Sequence, residues 1–514
     1  MLKNAQKDFI QRHIGPSVEE QNIMLKELGY KNLDELIKNT VPENILLKDD
    51  LGIGDPNSEY KALRKLKNIS KKNKVYSSFI GMGYYGTYTP YVILRNILEN
   101  PGWYTSYTPY QPEVAQGRLE MLMNFQQMII DFTGMDIANA SLLDEGTAAA
   151  EAMGLSYRIS KTDSNKVFVS KNCHPQTIEV IKTRAEPFGV EIIVGDEETD
   201  IKDEIICGII SYPGTLGDIK DPSEAISKIH KKNGKAVLVC DLLALAKLKT
   251  PAELGADIAV GSSQRFGVPM GFGGPHAAFF AARDKNMRSI PGRLIGASKD
   301  RRGKTALRMA LQTREQHIRR EKATSNICTA QVLLGVIAGC YAVYHGPDGL
   351  KIIAQRIHRL TNILKAGLKQ LGFSADNIYY FDTLTFSLEK KCNSIYERAL
   401  EEGINLRKTD SEQLGISLDE ETTKEDIVTL WRVFAGDKKL PSIDELDSHF
   451  MDLSNDSGIP KNLSRTSDIL THPVFHQFHS ETAMLRYLRY LQDKDIALDR
   501  AMIPLGSCTM KLNA

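Results

Sequence analysis

Five short runs of valine, isoleucine, leucine and alanine constrain the fold of this chain more than any other feature. The runs are Lys166–Ser170, Val190–Val194, Ile205–Tyr212, Lys235–Cys240 and Ala256–Val260. Near-continuous apolar runs of this length are typical of strands that are covered on both faces. Segments with helical character, His174–Pro187 and Pro222–Lys232, lie between them. The sequence therefore predicts an α/β fold with a mainly parallel sheet and right-handed crossovers.

Composition narrows the class of protein. With 514 residues, the chain is too long for a single hydrophobic core and is expected to form several domains. Its formal net charge of +1 gives no sign of a nucleic-acid partner. The seven cysteines are scattered without a CxxC pair, which favours reduced thiols over a disulfide framework.

The sequence also carries no membrane or export signal. No apolar run approaches the roughly 20 residues that a membrane helix needs, and the first residues contain no apolar signal core. We therefore expect a cytoplasmic bacterial protein. A mitochondrial protein whose presequence has been removed is the alternative.

Prolines, glycines and polar stretches divide the chain into four expected segments. These are an N-terminal helical arm (1–70), a large α/β domain (71–345), a smaller α+β domain (346–455), and a linker with the start of a further domain (456–514). Ser17 and Glu20 have the spacing of a capping box, which predicts a helix through Leu28. Residues 314–344 are expected to form a long buried helix that Gly346 and Pro347 interrupt.

Three positions predict a ligand site at the carboxyl ends of the strands. Gly146 and Thr147 lie at the mouth of an alanine-rich helix, where free N–H groups attract a phosphate; an ordinary capped helix is the other interpretation. His174 follows a strand end and could stack on a flat heteroaromatic ring, or it could be a loop histidine without a role. Asp241 ends another strand, where a carboxylate could pair with a pyridinium nitrogen.

These features in this order resemble fold-type I pyridoxal-phosphate enzymes, the aspartate aminotransferase-like transferases. Longer stretches are similar to the P-proteins of the glycine cleavage system, the glycine dehydrogenase (decarboxylating) family. The stretches are Gly81–Pro90, Asn100–Thr105, Tyr107–Pro112, Leu311–His317 and Arg320–Thr329. The resemblance covers essentially the whole chain. It implies a fold-type I large domain with a mainly parallel sheet and a smaller α+β domain.

One position departs from the fold-type I pattern. Gln264 stands where the lysine that binds the cofactor is expected, and an amide cannot form an imine with an aldehyde. No lysine lies between Lys249 and Lys285. The resemblance implies that pyridoxal 5'-phosphate is anchored by a lysine in a carboxy-terminal half that is missing here. This half then keeps a degenerate cofactor pocket at Gly146, Thr147, His174 and Asp241.

The resemblance also implies an activity. It is the pyridoxal-phosphate-dependent decarboxylation of glycine with transfer of the aminomethyl group to the lipoyl group of H-protein, an oxidoreductase reaction on CH–NH2 with a disulfide acceptor. The implied partners are glycine, lipoylated H-protein, the T and L proteins, and a second half or second copy of the chain. The isolated chain is expected to be inactive. A non-catalytic scaffold subunit of a two-chain P-protein is the alternative.

Residues 469–514 resemble the opening of the second half, so we expect a truncated chain or fragment rather than a dedicated scaffold subunit. Four residues are expected at the rim of an active site on the other half: Tyr84, Tyr85, Arg314 and His317. Tyrosine offers a rigid surface with a hydroxyl at its tip, and arginine suits a carboxylate. An interface between the halves is the other interpretation of these residues.

Two further patterns point to other functions. Gly81, Gly83 and Gly86 match the dinucleotide fingerprint and would suit a nucleotide-binding oxidoreductase, but no acidic residue ends a second strand after them. His472, His476 and His479 could lie on one helical face like metal ligands. Pro473 and the isolation of this cluster argue against that, and we predict no metal site.

Overall fold

A computed structural model describes residues 15–47, 49, 51–53, 57–104, 109–274, 276–311, 331–451, 458–497 and 499–501. By their contacts, the described residues divide into two compact units, one that ends at Val75 and one that begins at Tyr76. The boundaries expected at residues 345 and 455 lie inside the second unit and stay predictions.

The α-helices of the described residues are, in chain order, α1 (Val18–Glu27), α2 (Leu33–Thr40), α3 (Glu59–Ser70), α4 (Tyr91–Ile97), α5 (Gln116–Thr133), α6 (Glu145–Ile159), α7 (Pro175–Ala185), α8 (Ser223–Lys231), α9 (Val332–Gln370), α10 (Cys392–Glu401), α11 (Lys424–Ala435), α12 (Ile443–His449) and α13 (Glu481–Gln492). Short 3-10 helices are Glu186–Phe188, Ala244–Ala246, Asp284–Ser289, Glu389–Lys391, Lys461–Leu463 and Pro473–His476. None of the described helices is long and apolar enough to cross a membrane.

The strands of the same residues are β1 (Ser77–Phe79), β2 (Ile137–Ala138), β3 (Lys166–Ser170), β4 (Glu191–Gly195), β5 (Cys207–Tyr212), β6 (Lys235–Asp241), β7 (Ile258–Ser262), β8 (Ala278–Ala282), β9 (Leu294–Lys299), β10 (Thr305–Ala310), β11 (Thr383–Ser387), β12 (Ile404–Lys408) and β13 (Gln413–Ser417).

The first unit contains α1, α2 and α3, each of which begins at a side-chain cap. The predicted capping box is confirmed at α1, where Glu20 N donates to Ser17 Oγ and Ser17 N donates to the Glu20 carboxylate. Asn32 and Ser58 cap α2 and α3 in the same way. Helix α1 ends one residue before the predicted Leu28, which forms its C-terminal cap.

The large sheet of the second unit has the order β2-β8-β7-β6-β5-β3-β4. β8 runs antiparallel to both of its neighbours, and the other pairs are parallel. The five predicted strands are β3 to β7, which confirms the mainly parallel sheet. Side chains of β6 alternate between two hydrophobic cores: Ala236 and Leu238 join one, and Val237 and Val239 the other. Burial on both faces explains why the runs are apolar throughout.

A smaller sheet has the order β1-β12-β13-β11. β1 pairs in parallel with β12, although more than 300 residues separate them, and the other pairs are antiparallel. The sequence had placed residues 77–79 with the large domain, whereas the structure pairs them with strands of the smaller one. Local pattern cannot reveal such a pairing, because the partner strand is chosen by the tertiary fold.

Helix α9 is broken where the sequence predicted. Gly346 has φ 63° and ψ −175°, so the helical geometry stops at this residue and resumes at Pro347. A β-carbon at this position would lie 2.3 Å from the ring of His479, and φ is in the region that favours glycine. Residues 314–330 of the predicted helix lie outside the described residues.

Gly367 of α9 packs against Trp431 of α11, and this contact gives a test of the core. A β-carbon on Gly367 would lie 2.2 Å from the indole of the fully buried Trp431. Gly367→Ala is expected to lower the free energy of unfolding by about 1–2 kcal/mol in urea denaturation, because overpacking outweighs the gain in helix propensity.

The control for this prediction is Gly335→Ala in the same helix. The nearest atom to its new β-carbon would be Ser141 Cβ at 3.5 Å, an ordinary contact. This variant should be as stable as the parent chain or slightly more stable. Equal effects of the two substitutions would contradict the packing argument.

Candidate functional site

A small cavity lies at the carboxyl ends of the parallel strands, where the sequence predicted a ligand site. Its volume is about 40 Å³, far below the roughly 300 Å³ at which ligand pockets begin. The walls come from the loop after β1, the start of α6, the loops after β3 and β5, the ends of β6 and β7, and the start of β11. The charged and aromatic side chains among them are Tyr85, Glu145, His174, Asp241, Arg265 and Asp382.

The loop from Gly81 to Thr89 forms one wall and is held by hydrogen bonds on two sides. Gly86 N donates to Asp419 Oδ2 at 2.7 Å, and Thr87 Oγ1 donates to Arg265 O at 2.9 Å. A β-carbon on Gly81 would lie 2.2 Å from Ser417 Oγ. Close packing therefore accounts for Gly81 and Gly86, and a positive φ of 87° accounts for Gly83. The strand before this loop belongs to the smaller sheet rather than to a dinucleotide-binding βαβ unit.

Gln264 fastens this loop to the turn after β7. Its Nε2 donates to Tyr85 O and to Val268 O, each at 2.8 Å, and its Oε1 accepts from Tyr85 N at 3.0 Å. The side chain is fully buried. The amide thus uses its donors and its acceptor on backbone groups, where a lysine could satisfy only the acceptors.

Arg265 lies at the centre of the cavity wall, and sequence analysis did not single it out. Its Nη1 donates to Asp241 Oδ2 at 2.6 Å and also to Asp382 Oδ2. Its guanidinium lies over the ring of Tyr85, 3.9 Å from the ring centroid, a cation–π arrangement. Burial disfavours the charge, but the two carboxylates outweigh it and raise the pKa of Arg265. Burial also raises the pKa of Asp382, against the attraction of Arg265.

Carboxylates occupy the start of α6, where a phosphate was predicted. Asp144 Oδ1 accepts from Thr147 N at 2.8 Å, so the N–H of Thr147 is already satisfied by an ordinary N-terminal cap. Glu145 accepts from Thr177 Oγ1, and burial, with smaller contributions from Asp241 and Asp144, raises the pKa of Glu145 to about 7. Gly146 faces α7, since its β-carbon would lie 3.2 Å from Val180. Asp144 and Glu145 thus occupy the place where a phosphate was predicted, and the N–H of Thr147 is already hydrogen-bonded.

His174 reaches the cavity as predicted from its place after β3. Its Nδ1 lies 2.8 Å from Thr215 Oγ1, which also accepts from Arg407 Nη2 at 3.0 Å. Burial lowers the pKa of His174 to about 4, and the charge of Arg407 adds to this effect. The imidazole is therefore neutral near pH 7.

Only some of the predicted site residues line the cavity. His174 and Asp241 line one cavity, and Gly146 and Thr147 lie beside it in the first turn of α6. Tyr85 is 8 % exposed and faces the same cavity, whereas Tyr84 is 41 % exposed with its ring 4.5 Å from that of His276. Arg314 and His317 lie outside the described residues.

This cavity does not fit pyridoxal phosphate. Gln264 is an amide, which cannot form an imine, and its two donors and its acceptor are already hydrogen-bonded to backbone groups. Arg265 occupies the carboxylate of Asp241 that would pair with a pyridinium nitrogen, and carboxylates face the place of the phosphate. The strand-end pattern alone could not reveal this, because Asp382 comes from the smaller sheet and has no signal in the sequence.

The three histidines of the C-terminal region bind separate backbone groups. His472 accepts from Val474 N, while ring nitrogens of His476 and His479 lie 2.9 Å from Leu470 O and 3.0 Å from Tyr344 O. Among the described residues, no group of three or more His, Cys, Asp or Glu side chains could hold a metal ion.

Comparisons with known proteins agree on one family. A family model described as "Glycine cleavage system P-protein" matches residues 11–434. All 514 residues align with "Glycine dehydrogenase (decarboxylating)" of Pelagibacter ubique at 73 % identity and with that of Nostoc sp. at 56 % identity. The chain covers 53 % and 52 % of these proteins, so it spans about half the length of the curated relatives it matches.

Solved structures of other proteins show the same fold as this chain. A structure described as glycine decarboxylase (P-protein) of the glycine cleavage system, in inhibitor-bound form, aligns with a TM-score of 0.76 and 30 % identity, covering 82 % of this chain and 98 % of that one. A sphingosine-1-phosphate lyase of Burkholderia pseudomallei aligns with a TM-score of 0.54 and 12 % identity, over 79 % and 93 % of the two chains, which shows the fold alone. The predicted fold-type I architecture is confirmed.

The raised pKa of Glu145 predicts a pH dependence. The folded chain holds this proton up to about pH 7, whereas the ordinary pKa of the group is 4.5, so stability falls as the pH rises between these values. Glu145→Gln keeps an acceptor for Thr177 and is expected to raise the free energy of unfolding by about 1–3 kcal/mol at pH 8, and by less at pH 5.

Urea denaturation at the two pH values measures this effect. The control Glu179→Gln removes an exposed carboxylate from the neighbouring helix α7. The burial argument predicts a larger gain at pH 8 for Glu145→Gln than for the control. Equal gains at pH 5 and pH 8 would show that Glu145 is not held protonated by its surroundings.

Proposed function

The chain belongs to the glycine cleavage system P-protein family, and on that premise we propose that it is the amino-terminal half of an enzyme that decarboxylates glycine. The observation that carries the assignment to this half is Gln264, whose buried amide stands where fold-type I enzymes need a lysine. The chain spans about half the length of its curated relatives, which leaves room for that lysine elsewhere in the enzyme.

In this proposal, the cofactor and the reaction belong to the assembled enzyme. Pyridoxal phosphate is bound covalently by a lysine outside these residues, and it supplies the electron sink for loss of the carboxylate as carbon dioxide. The aminomethyl group passes to the lipoyl disulfide of H-protein, and the T and L proteins act in the later steps of glycine cleavage. We place the enzyme in the bacterial cytoplasm, and the five described cysteines that are buried, free thiols agree with a reducing compartment.

This half contributes an interface and the rim of the active site. Tyr84 stands on the loop that Gln264 and Asp419 hold, so an exposed phenol is presented on a rigid support. Burial, together with Asp144 and Glu145, raises the pKa of Tyr84, so its hydroxyl keeps its proton and can donate. Tyr85 faces the cavity, and the hydrogen bonds of its backbone to Gln264 hold the adjacent Tyr84 in place. Arg314 and His317 remain part of the proposed rim.

A non-catalytic scaffold subunit of a two-chain P-protein is the second candidate. The comparison with the solved P-protein favours it, because this chain covers 98 % of that chain but only about half of the curated relatives. The solved P-protein chain is thus shorter than this chain, because 82 % of this chain covers 98 % of that one. Both candidates place this chain at an interface with a second half. They differ in whether a covalent link joins the halves and in whether residues of this chain take part in the reaction.

The first test asks whether this chain alone can act. Purified chain with stoichiometric pyridoxal phosphate, reduced with borohydride and mapped by mass spectrometry, is expected to show no adduct concentrated at one lysine. Release of labelled carbon dioxide from glycine should equal the background, because an imine needs an unprotonated amine in the site. A specific adduct or glycine turnover by the isolated chain would overturn the assignment.

The second test concerns the rim. In an enzyme that contains both halves, Tyr84→Phe is expected to lower kcat/KM about tenfold, the loss from one hydrogen bond of about 1.4 kcal/mol. Arg314→Ala is expected to raise KM for glycine, since arginine suits its carboxylate. Steady-state assays with glycine and lipoylated H-protein measure both effects.

Tyr157→Phe is the matched control, because Tyr157 is 42 % exposed on α6 and packs against Phe188. It should leave turnover unchanged. If Tyr84→Phe and the control retain the same activity, Tyr84 has no part in the reaction.

A further inference from the structure

The cavity at the carboxyl ends of β6 and β7 already contains a planar cation that belongs to the chain. The guanidinium of Arg265 donates to Asp241 at 2.6 Å and to Asp382, and it lies 3.9 Å from the centroid of the Tyr85 ring. The side chain of Arg265 is 5 % exposed, and those of Asp241 and Asp382 are 16 % and 7 % exposed. Three independent contacts thus hold the planar, positively charged guanidinium of Arg265 in the buried cavity.

These contacts are the ones that recognise a protonated heteroaromatic ring. Such a ring donates an N–H to a carboxylate and presents its faces to aromatic side chains. A guanidinium has the same planarity, the same charge and N–H donors in its plane. Asp241 ends a central strand, which is the position from which fold-type I enzymes are expected to reach a pyridinium nitrogen.

We propose that Arg265 is a built-in ligand of this cavity and takes the place of a bound pyridinium ring. The cavity is therefore a receptor for planar cations, with Asp241, Asp382 and Tyr85 as its recognition elements. Two adjacent residues prevent the cofactor from binding in this cavity. Gln264 provides an amide where an amine would be needed, and Arg265 fills the space and binds the carboxylate of Asp241. A lysine at position 264 by itself does not reopen the pocket.

The contact with Asp382 separates this arrangement from an ordinary ion pair. Asp382 precedes β11 of the smaller sheet, so the guanidinium joins that sheet to the end of β6 in the large one. One cation between two buried carboxylates leaves the cavity with an excess of negative charge. Removal of Arg265 leaves both buried carboxylates without this counter-ion, although backbone N–H groups still donate to Asp241 and Thr383 Oγ1 still donates to Asp382; the loss favours uptake of another cation.

The first experiment replaces the built-in ligand with a free one. Arg265→Ala is purified as the full chain, and its thermal unfolding is measured with guanidinium chloride or sodium chloride at about 10 mM, far below the concentrations that denature proteins. Guanidinium is expected to raise the Tm of Arg265→Ala because it binds only the folded form. It should leave the Tm of the parent chain unchanged, since Arg265 fills the site.

The outcomes of this experiment are distinct. A rise in Tm that disappears when Asp241→Asn is added supports the proposal. If Arg265→Ala is unfolded in sodium chloride, refolding in guanidinium alone supports it equally. A variant that responds to both salts alike, or that folds in neither, overturns the proposal.

The second experiment asks whether Arg265 excludes the ring. Gln264→Lys alone and Gln264→Lys with Arg265→Ala are incubated with pyridoxal, which has no phosphate to meet Glu145, and are reduced with borohydride. The adduct at position 264 is quantified by peptide mapping. The adduct is expected to be at least about tenfold more abundant in the double variant. If Arg265 leaves the site empty less than about a tenth of the time in the single variant, pyridoxal binds that variant correspondingly more weakly.

Equal labelling of the two variants would show that Arg265 does not compete with the ring, and labelling of neither would show that its removal does not open the site. Neither experiment uses glycine, H-protein or a second half. The result is therefore independent of the proposed function, and the failure of one does not imply the failure of the other.

Discussion

Two adjacent side chains in the turn after β7 hold the centre of this structure together. Gln264 binds the backbone of Tyr85 on both its N–H and its carbonyl, and Arg265 joins Asp241 of the large sheet to Asp382 of the smaller one. All of these groups are largely buried, so each lost contact would leave a polar or charged group unpaired at a cost of about 1–5 kcal/mol. The shape and the charge of the cavity depend on this turn.

The charge of the cavity decides what it can hold. Asp241, Asp382 and Glu145 surround one guanidinium, and burial keeps the proton on Glu145 up to about pH 7. His174 is neutral because burial lowers its pKa to about 4. The two carboxylates of Asp241 and Asp382 share one cation of the chain itself, the guanidinium of Arg265. The proposed function places the chemistry of the phosphorylated cofactor outside this cavity, and the curated relatives of the family are about twice as long as this chain.

The sequence predicted the layers of the fold and the edge at which the site lies. Strands β3 to β7 were found because burial on both faces requires continuous apolar runs, and the ends of such strands meet at one edge of the sheet. His174 and Asp241 were found by the same argument. Arg265 was missed, although it is the next residue after Gln264, because a buried arginine has no local signature that separates it from a surface one.

Local pattern by itself thus determined the five central strands β3 to β7, the capping box at Ser17, the break at Gly346 and the absence of an amine at position 264. These features depend on residues that are close in sequence. Only the tertiary structure decided that β1 joins the smaller sheet and that Asp241 and Asp382 share the guanidinium of Arg265. The pairing of β1 with β12 and the contact of Arg265 with Asp382 join segments more than 100 residues apart, and their energy comes from burial that exists only once the sheets have packed.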